Sequence, residues 1–353
     1  MAHNASLYGP DRMTGRAHRI DTFLAAVGWG AARREPLAGD ASLRRYERLH
    51  GPDGTAIFMD APPGTGEDVR PFLLVARWLG ERGLSAPRVL AEDPEAGLLL
   101  LEDLGPDLLA RRAVTRPDEE PALYAAAAEA LAEMQRHAPP VGLAHYPDRM
   151  AGLAATVVDW YAPAARDRRN AIEAAMARAL GAMPPAPDVI VHRDYHAENL
   201  LWLPGREGPA RIGMLDFQDA MTGPAEYDLA SLVDDPRRAV SPAARDAARA
   251  TWLRATRADP EATDHRLAVC SVQRSLRIIG RVFTRLALHS GRTSYLRFIP
   301  PTWTVLQERL RHPALRELRE MLDGALPEPD VDWLERTAAR AGTMAGRERA
   351  EAW

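Results

Sequence analysis

One loop holds most of the chemistry this chain could perform: His192-Arg193-Asp194-Tyr195-His196-Ala197-Glu198-Asn199. It follows the apolar run Val189-Ile190-Val191 and opens into Leu200-Leu201-Trp202-Leu203, so a polar loop lies between two strand-like segments. Pro204 to Pro209 reads as a turn, and Arg211 to Phe217 as the returning strand. In an antiparallel hairpin the residue entering the first strand lies beside the residue leaving the second, which sets Asn199 next to Asp216 with Asp194 just upstream. An amide oxygen and a carboxylate together make a hard site suited to Mg²⁺ with phosphate oxygens and water. A nearby aspartate can orient an acceptor hydroxyl and take its proton. Phosphoryl transfer needs these parts, because it is catalysed mainly by positioning and charge neutralisation. A lone Asp–Asn pair would ordinarily be a turn or cap device. The spacing H-R-D-x-x-x-x-N, followed after a hairpin by Asp216-Phe217, is far more specific. A competing reading takes His192, Asp194, His196 and Asp216 as a dinuclear metal-hydrolase cluster, but it lacks a second histidine-rich cluster.

The elements around this loop divide the chain by composition. Asp21 to Trp29 suggests a short amphipathic helix, and Gly39-Asp40-Ala41-Ser42 breaks the chain before a strand at 43–49. His50-Gly51-Pro52-Asp53-Gly54 is a turn leading to a second strand at 55–60. Phe72, Val75, Ala76 and Leu79 predict a helix over 67–82, and short strands are expected near 87–91 and 97–101. Beyond Glu102 to Pro106 the chain turns alanine-, leucine- and arginine-rich, with helices expected over 119–137, 149–161, 242–255 and 262–289. The fold class is therefore α+β and two-lobed: a small β-rich N-lobe over 1–101 that contains a hairpin, a connecting segment over 102–107, and a large helical C-lobe over 108–353 that carries the polar loop.

Composition removes several alternatives. The 353 residues, 46% hydrophobic and 27% charged, suffice for one large core or two smaller ones. The net charge of −4 shows no basic stripe for nucleic acid. All 45 basic residues are arginine, so a Walker A loop, which requires lysine, is impossible. Cys270 is the only cysteine, which rules out an internal disulfide. No signal-like or membrane-spanning stretch is present, and a soluble, cytoplasmic protein is expected.

The catalytic loop with Asp216-Phe217 resembles the aminoglycoside phosphotransferase-like, or choline-kinase-like, branch of the protein kinase fold. Narrower features are Gly39 to Tyr46, Met59 to Pro63, Glu67 to Phe72, Leu98 to Gly105, Asp216 to Ala220, Gly223 to Ala230 and Gln273 to Gly280. Together they look like the bacterial anomeric sugar kinases that phosphorylate N-acetylmuramate and N-acetylglucosamine at the C1 hydroxyl, over about Asp21 to Leu310. The resemblance implies ATP as co-substrate and Mg²⁺ as cofactor, with Asp194 as base and Asn199 and Asp216 as metal ligands. It further implies Gly39, Asp40, Ala41, Ser42, Arg44 and Arg45 over the ATP phosphates, and backbone groups of Glu102 to Leu104 as the hinge for adenine. A place in cell-wall sugar recycling, with the sugar 1-phosphate passed to a nucleotidyltransferase, comes from the resemblance alone.

One departure matters: where kinases present a strand lysine to the phosphates, this chain has Met59-Asp60. Arg44 or Arg45 is expected to replace it, since alternate strand residues face opposite sides and a guanidinium fork binds phosphate. Glu67 and Asp68 read as first-turn helix charges, and His192 and Asp228 as braces of the loop. Tyr195, His196, Glu198, Gln218 and Asp219 are candidates for binding sugar hydroxyls or an acetamido group. A lactyl carboxylate would call for an arginine; Arg277, Arg281 and Arg285 recur every fourth residue, a spacing equally natural for a solvated stripe. The expected partners are a small sugar and ATP, with neither nucleic acid nor membrane, and the protein is expected to be a monomer. The alternatives are a kinase of aminoglycoside, choline, homoserine or another sugar, and a nucleotide-binding pseudokinase.

Overall fold

A computed structural model of the chain describes residues 10–37 and 44–344. The structure falls into two compact units: one runs to Pro106 and takes in Gly213–Asp219, while the other comprises Asp107–Ile212 and the chain from Ala220 onward.

In the smaller unit, α1 (Pro10–Ala26) precedes a five-stranded antiparallel sheet: β1 (Arg33–Pro36), β2 (Arg45–Gly51), β3 (Gly54–Asp60), β4 (Val89–Asp93) and β5 (Leu98–Glu102), in the order β1-β2-β3-β5-β4. Helix α2 (Arg70–Gly80) connects β3 to β4. The four leucines of β5 are all buried, so this strand is covered on both sides. Leu98 and Leu100 join Ala56 and Phe58 of β3 in a cluster closed by Ile20 and Leu24 of α1. Leu99 and Leu101 alternate to the opposite face. The β2–β3 turn pairs Gly51 with Gly54, whose φ of 132° only glycine adopts readily. Strand β1 escaped the sequence reading because Arg-Arg-Glu-Pro has no apolar residue. It is an exposed edge strand held by backbone pairing to β2, Arg34 opposite Leu49, and its proline falls at the strand end.

The larger unit is mostly helical. Helices α3 (Leu109–Thr115), α4 (Glu120–Arg136), α5 (Pro147–Ala155), α6 (Val157–Trp160) and α7 (Arg169–Gly181) lead to β6 (Val189–Val191) and β7 (Leu200–Trp202). The next strand, β8 (Ile212–Met214), continues into the smaller unit; β9 (Met221–Gly223), α8 (Glu226–Val233), α9 (Pro242–Thr256) and α10 (Pro260–Arg277) follow. A π-helical segment, Ile278–Thr284, then joins α10 to α11 (Arg285–Ser290), and α12 (Ile299–Arg309), α13 (Arg316–Leu322) and α14 (Val331–Ala338) complete the unit. Among the described residues no helix is long and apolar enough to cross a membrane.

Two expected helices are interrupted, and one close approach accounts for both breaks. A Cβ on Gly280 would lie 2.6 Å from the Val157 Cα and 3.0 Å from the Thr156 carbonyl oxygen. The helix expected over 149–161 therefore breaks at Thr156, where the chain meets Gly280. The helix expected over 262–289 loosens there into π geometry, with i→i+5 hydrogen bonding. Arg277, Arg281 and Arg285 no longer share one helical line, and Arg277 is buried, so a solvated stripe is not what forms. Helix α10 is buried on nearly every side and carries Arg266, Arg274 and Arg277 into the interior.

His145 ties the start of α5 to the approach to β6. Its Nδ1 lies 2.8 Å from Asp148 and its Nε2 2.8 Å from Asp188. Hydrogen bonding to Asp148, then to Asp188, raises its pKa above the ordinary histidine value against the opposing effect of burial. A raised folded value means that this stabilisation is full below the unfolded pKa and disappears as pH rises through the folded one. The melting-temperature difference between wild type and His145→Ala is accordingly expected to shrink from pH 6 to pH 8.5. A difference that is constant or grows with pH would refute the link.

Candidate active site

The loop 192–199 is fixed from behind. Strand β6 pairs antiparallel with β9, Val191 opposite Met221, and the chain then turns at Arg193, whose φ of 76° lies in the left-handed region. A β-carbon makes that conformation costly, and the surroundings must hold it. Asp228, on the first turn of α8 and fully buried, does so: Oδ2 accepts the His192 N–H at 2.6 Å and Oδ1 the Arg193 N–H at 2.9 Å. Burial pushes the Asp228 carboxyl up to about 7, against the pull of these two donors and with a further push from Asp194. The Arg193 guanidinium stacks over the Tyr146 ring at 5.1 Å. His192 is buried edge-on to Tyr195, ring centroids 5.6 Å apart.

Asp194 keeps part of its side chain, about 31%, open to solvent. Burial of the remainder would raise its pKa, but the opposing charges outweigh this, Arg277 foremost at 3.8 Å, and the carboxyl is held below the usual carboxylate range. His196 adds little charge, because its own burial, and Arg237 beside it, drive its pKa far below that of free histidine and leave it neutral. Asp194 is thus an ionised carboxylate at neutral pH.

Asn199 is oriented by the same loop. Its Nδ2 donates to the Asp194 carbonyl at 3.0 Å and its backbone N–H to the His196 carbonyl at 2.8 Å. The amide nitrogen thus faces the loop, and Oδ1 is the end suited to a cation. Asp216, exposed and in the smaller unit, also has a left-handed backbone (φ 61°), and its Oδ1 accepts from Gln218 Nε2 at 2.7 Å. Phe217 is buried and stacks on Phe72 of α2 at 4.8 Å. An amide oxygen and a carboxylate fit hard Mg²⁺ chemistry. Among the described residues no three His, Cys, Asp or Glu side chains are gathered as a metal site.

Other expected site residues are sorted by burial. Tyr195 is fully buried and its hydroxyl donates to the Ala127 carbonyl at 2.8 Å, so it anchors the loop to α4 and has no surface for a sugar, contrary to the sequence expectation. Glu198 and Asp219 are exposed, Gln218 is half-buried, and His196 is buried with no partner for Nδ1. In the smaller unit, the Glu102 N–H donates to the Arg88 carbonyl at 2.8 Å, and its side chain bonds Arg88 Nε at 3.1 Å. Leu104 is half-buried two residues on. Gly39, Asp40, Ala41 and Ser42 lie outside the described residues.

The two arginines proposed to replace the missing lysine differ. Arg45 is exposed, whereas Arg44 is largely buried and its Nε donates to Glu67 Oε2 at 2.6 Å. Helix α2 begins only at Arg70, so Glu67 precedes the helix and serves as the carboxylate partner of Arg44. Sequence reasoning missed this because it assigned Glu67 to the first turn. The lysine-equivalent stretch is occupied otherwise: Asp60 is buried and bonds Arg16 of α1, whose Nε is 3.1 Å away.

The family described as "Phosphotransferase enzyme family" matches residues 33–266. A protein of Caulobacter vibrioides named N-acetylmuramate/N-acetylglucosamine kinase is 39% identical, the match covering 86% of this chain and 95% of that protein. One of the same name from Pseudomonas aeruginosa is 35% identical over 88% of this chain and 94% of its own. Among solved structures, a choline/ethanolamine kinase family protein from Mesorhizobium loti superposes with a TM-score of 0.59 at 16% identity, covering 87% of this chain and 99% of that one. An aminoglycoside-3'-phosphotransferase of type VIII gives 0.52 at 18% identity, over 73% and 98%.

Proposed function

The chain belongs to the phosphotransferase enzyme family, with its α+β, protein-kinase-like fold, and we propose that it transfers the γ-phosphoryl group of ATP to the anomeric (C1) hydroxyl of N-acetylmuramate and N-acetylglucosamine. The observation that carries this reading is the pinned loop, which holds Asp194 ionised and accessible. The acceptor follows the name shared by relatives aligned over most of the chain.

In this reading the Asp194 carboxylate takes the proton of the C1 hydroxyl as the sugar oxygen bonds to the γ-phosphorus. The bond from that phosphorus to the β–γ bridging oxygen breaks, and ADP leaves. Asn199 Oδ1 and the Asp216 carboxylate are the proposed Mg²⁺ ligands; bound Mg²⁺ neutralises phosphate charge. The Glu102 carbonyl and the Leu104 N–H are proposed for adenine, the Glu102 N–H already being engaged in the sheet. Arg44, oriented by Glu67, is proposed for the phosphates in place of lysine, with the backbone of Gly39 to Ser42 covering them. Glu198, Gln218 and Asp219 are proposed for the sugar hydroxyls. The enzyme would act as a monomer in the cytoplasm, its sugar 1-phosphate feeding nucleotidyl transfer in cell-wall sugar recycling.

Phosphorus NMR of the protein with ATP, Mg²⁺ and each sugar tests this reading. A sugar 1-phosphate signal is expected from both, and a phosphate on another hydroxyl, or on another acceptor only, would overturn it. In the same assay Arg44→Ala is expected to raise KM for ATP about tenfold, the scale of one lost charge-assisted hydrogen bond. An unchanged KM would remove Arg44 from the phosphate site.

A further inference from the structure

Helix α10 places three arginines in the interior, and they are satisfied unequally. Arg266 forks onto Glu226, with Nε at 2.8 Å and NH2 at 2.6 Å from the same carboxylate oxygen. Arg277, about three turns further along, has Asp194 at 3.8 Å. Arg274 lies between them in sequence, is 2% exposed, and has no partner for Nε or Nη2, whereas Arg277 lacks one at Nε alone. A guanidinium so buried is costly unless paired, and a site that evolved around one normally supplies an anion.

Both signs of charge gather around Asp194. Arg193, Arg237, Arg274 and Arg277 all lie within electrostatic reach of the Asp194 carboxylate. The anions facing them are Asp194, Asp228 and Asp235. Asp228 accepts from the backbone of the loop, and Asp235 engages Arg237 through Oδ1, accepting its N–H at 3.0 Å with the guanidinium 3.7 Å away, while its buried Oδ2 has no partner. Arg274, three residues before Arg277 on α10, is thus a buried cation whose Nε and Nη2 have no partner, close to the base proposed to receive the acceptor.

The two sugars in the relatives' name differ by one anion: N-acetylmuramate carries a lactyl carboxylate and N-acetylglucosamine does not. We propose that Arg274, supported by Arg277, is the specificity-determining residue that receives the acceptor's carboxylate, making α10 the element that recognises N-acetylmuramate. This rests on the amino-sugar kinase reading and adds to it the group that separates the two acceptors. Arg277 is held by Asp194 and supports the positive field, whereas Arg274 keeps its donor edge for the ligand. The nucleotide phosphates are assigned other counter-charges, namely Mg²⁺ and Arg44.

The test is a cycle between enzyme and ligand. Arg274→Gln and wild type are assayed on N-acetylglucosamine, on N-acetylmuramate and on its methyl ester, with Arg274→Lys as a second variant that keeps the charge but loses the fork. In Arg274→Gln the ratio of kcat/KM for N-acetylmuramate to that for N-acetylglucosamine is expected to fall about thirtyfold, the scale of a bidentate ionic hydrogen bond. The ester is expected to lose as much in wild type and little further in the variant, and Arg274→Lys is expected to fall between. Equal losses on all three acceptors, or a rise in KM for ATP instead, would overturn the proposal and place the guanidinium at the phosphates or in the scaffold. An unchanged ratio would also overturn it. Because no carboxylate is stranded by the change, the melting temperature of Arg274→Gln is expected to hold or rise, and a large fall would mark a structural role. Calorimetric binding of the two sugars without nucleotide separates this proposal from the catalytic one: preference for the acid, lost in Arg274→Gln, stands even if wild type phosphorylates neither.

Discussion

Asp194→Asn is expected to bind Mg²⁺·ATP with wild-type affinity while transferring phosphoryl groups about a hundred to ten thousand times more slowly, the range contributed by a positioned general base. The amide keeps the shape of the carboxylate and cannot accept the hydroxyl proton. The loop itself should survive, because its anchors are elsewhere: the His192 and Arg193 N–H groups on Asp228, the Tyr195 hydroxyl on Ala127, and the Asn199 amide on the backbone carbonyl of Asp194. Calorimetry with nucleotide and a coupled assay for ADP separate binding from chemistry. The pH profile gives an independent reading. With Arg277 beside it and its pKa below the usual carboxylate range, Asp194 should stay ionised through mildly acidic pH. The acid limb of kcat/KM should therefore not track an ordinary carboxylate titration. Full transfer by Asp194→Asn would remove the residue from catalysis and with it the mechanism proposed above.

The catalytic loop was legible because its signal is local: apolar run, polar loop, apolar run, turn and return, each marked by residue type. Strands β2, β3 and β5 were legible for the same reason. What escaped depends on partners distant in sequence. Strand β1 has no apolar residue and exists through its pairing with β2. Glu67 looked like a helix-start charge until the helix proved to begin three residues later, leaving its carboxylate for Arg44. Tyr195 sits among polar neighbours in sequence, yet its side chain enters the core, because the left-handed turn at Arg193 re-aims the residues that follow. Of the arginines of α10 only Arg277 stood out in the sequence, through a spacing equally natural for a solvated stripe. Only the packing of α10 on all sides, and the π turn imposed where Gly280 meets Val157, bury Arg274 and Arg277. Spacing marked the groups proposed for the chemistry and, in Asp228, the brace of their loop, whereas the Arg44–Glu67 pair and the burial of the α10 arginines became visible only through tertiary contacts.

Asp228→Ala is expected to destabilise the protein by about 3 kcal/mol, since it leaves two buried backbone N–H groups without acceptors at roughly 1–3 kcal/mol each. Both donors are in the turn that carries Asp194, and that turn holds Arg193 at a φ a non-glycine residue adopts only under constraint. Without the carboxylate the turn can relax, and turnover should fall by more than the fraction unfolded accounts for. Asp228→Asn, which keeps one acceptor oxygen, should lie between alanine and wild type. The loss should also depend on pH in a definite direction. The folded carboxyl, pushed up to about 7, lies above the value of about 3.9 for an unfolded aspartate. The folded state therefore holds the extra proton between these values, and the stability contributed by Asp228 is full below the unfolded value and declines as pH rises through about 7. Chemical denaturation at pH 5 and pH 8 should show a wider gap between wild type and Asp228→Ala at pH 5. A gap that widened toward pH 8 would mean that the two N–H donors and the nearby arginines outweigh burial, making Asp228 an ionised brace at all working pH; no gap at either pH would mean that the loop is held by other contacts.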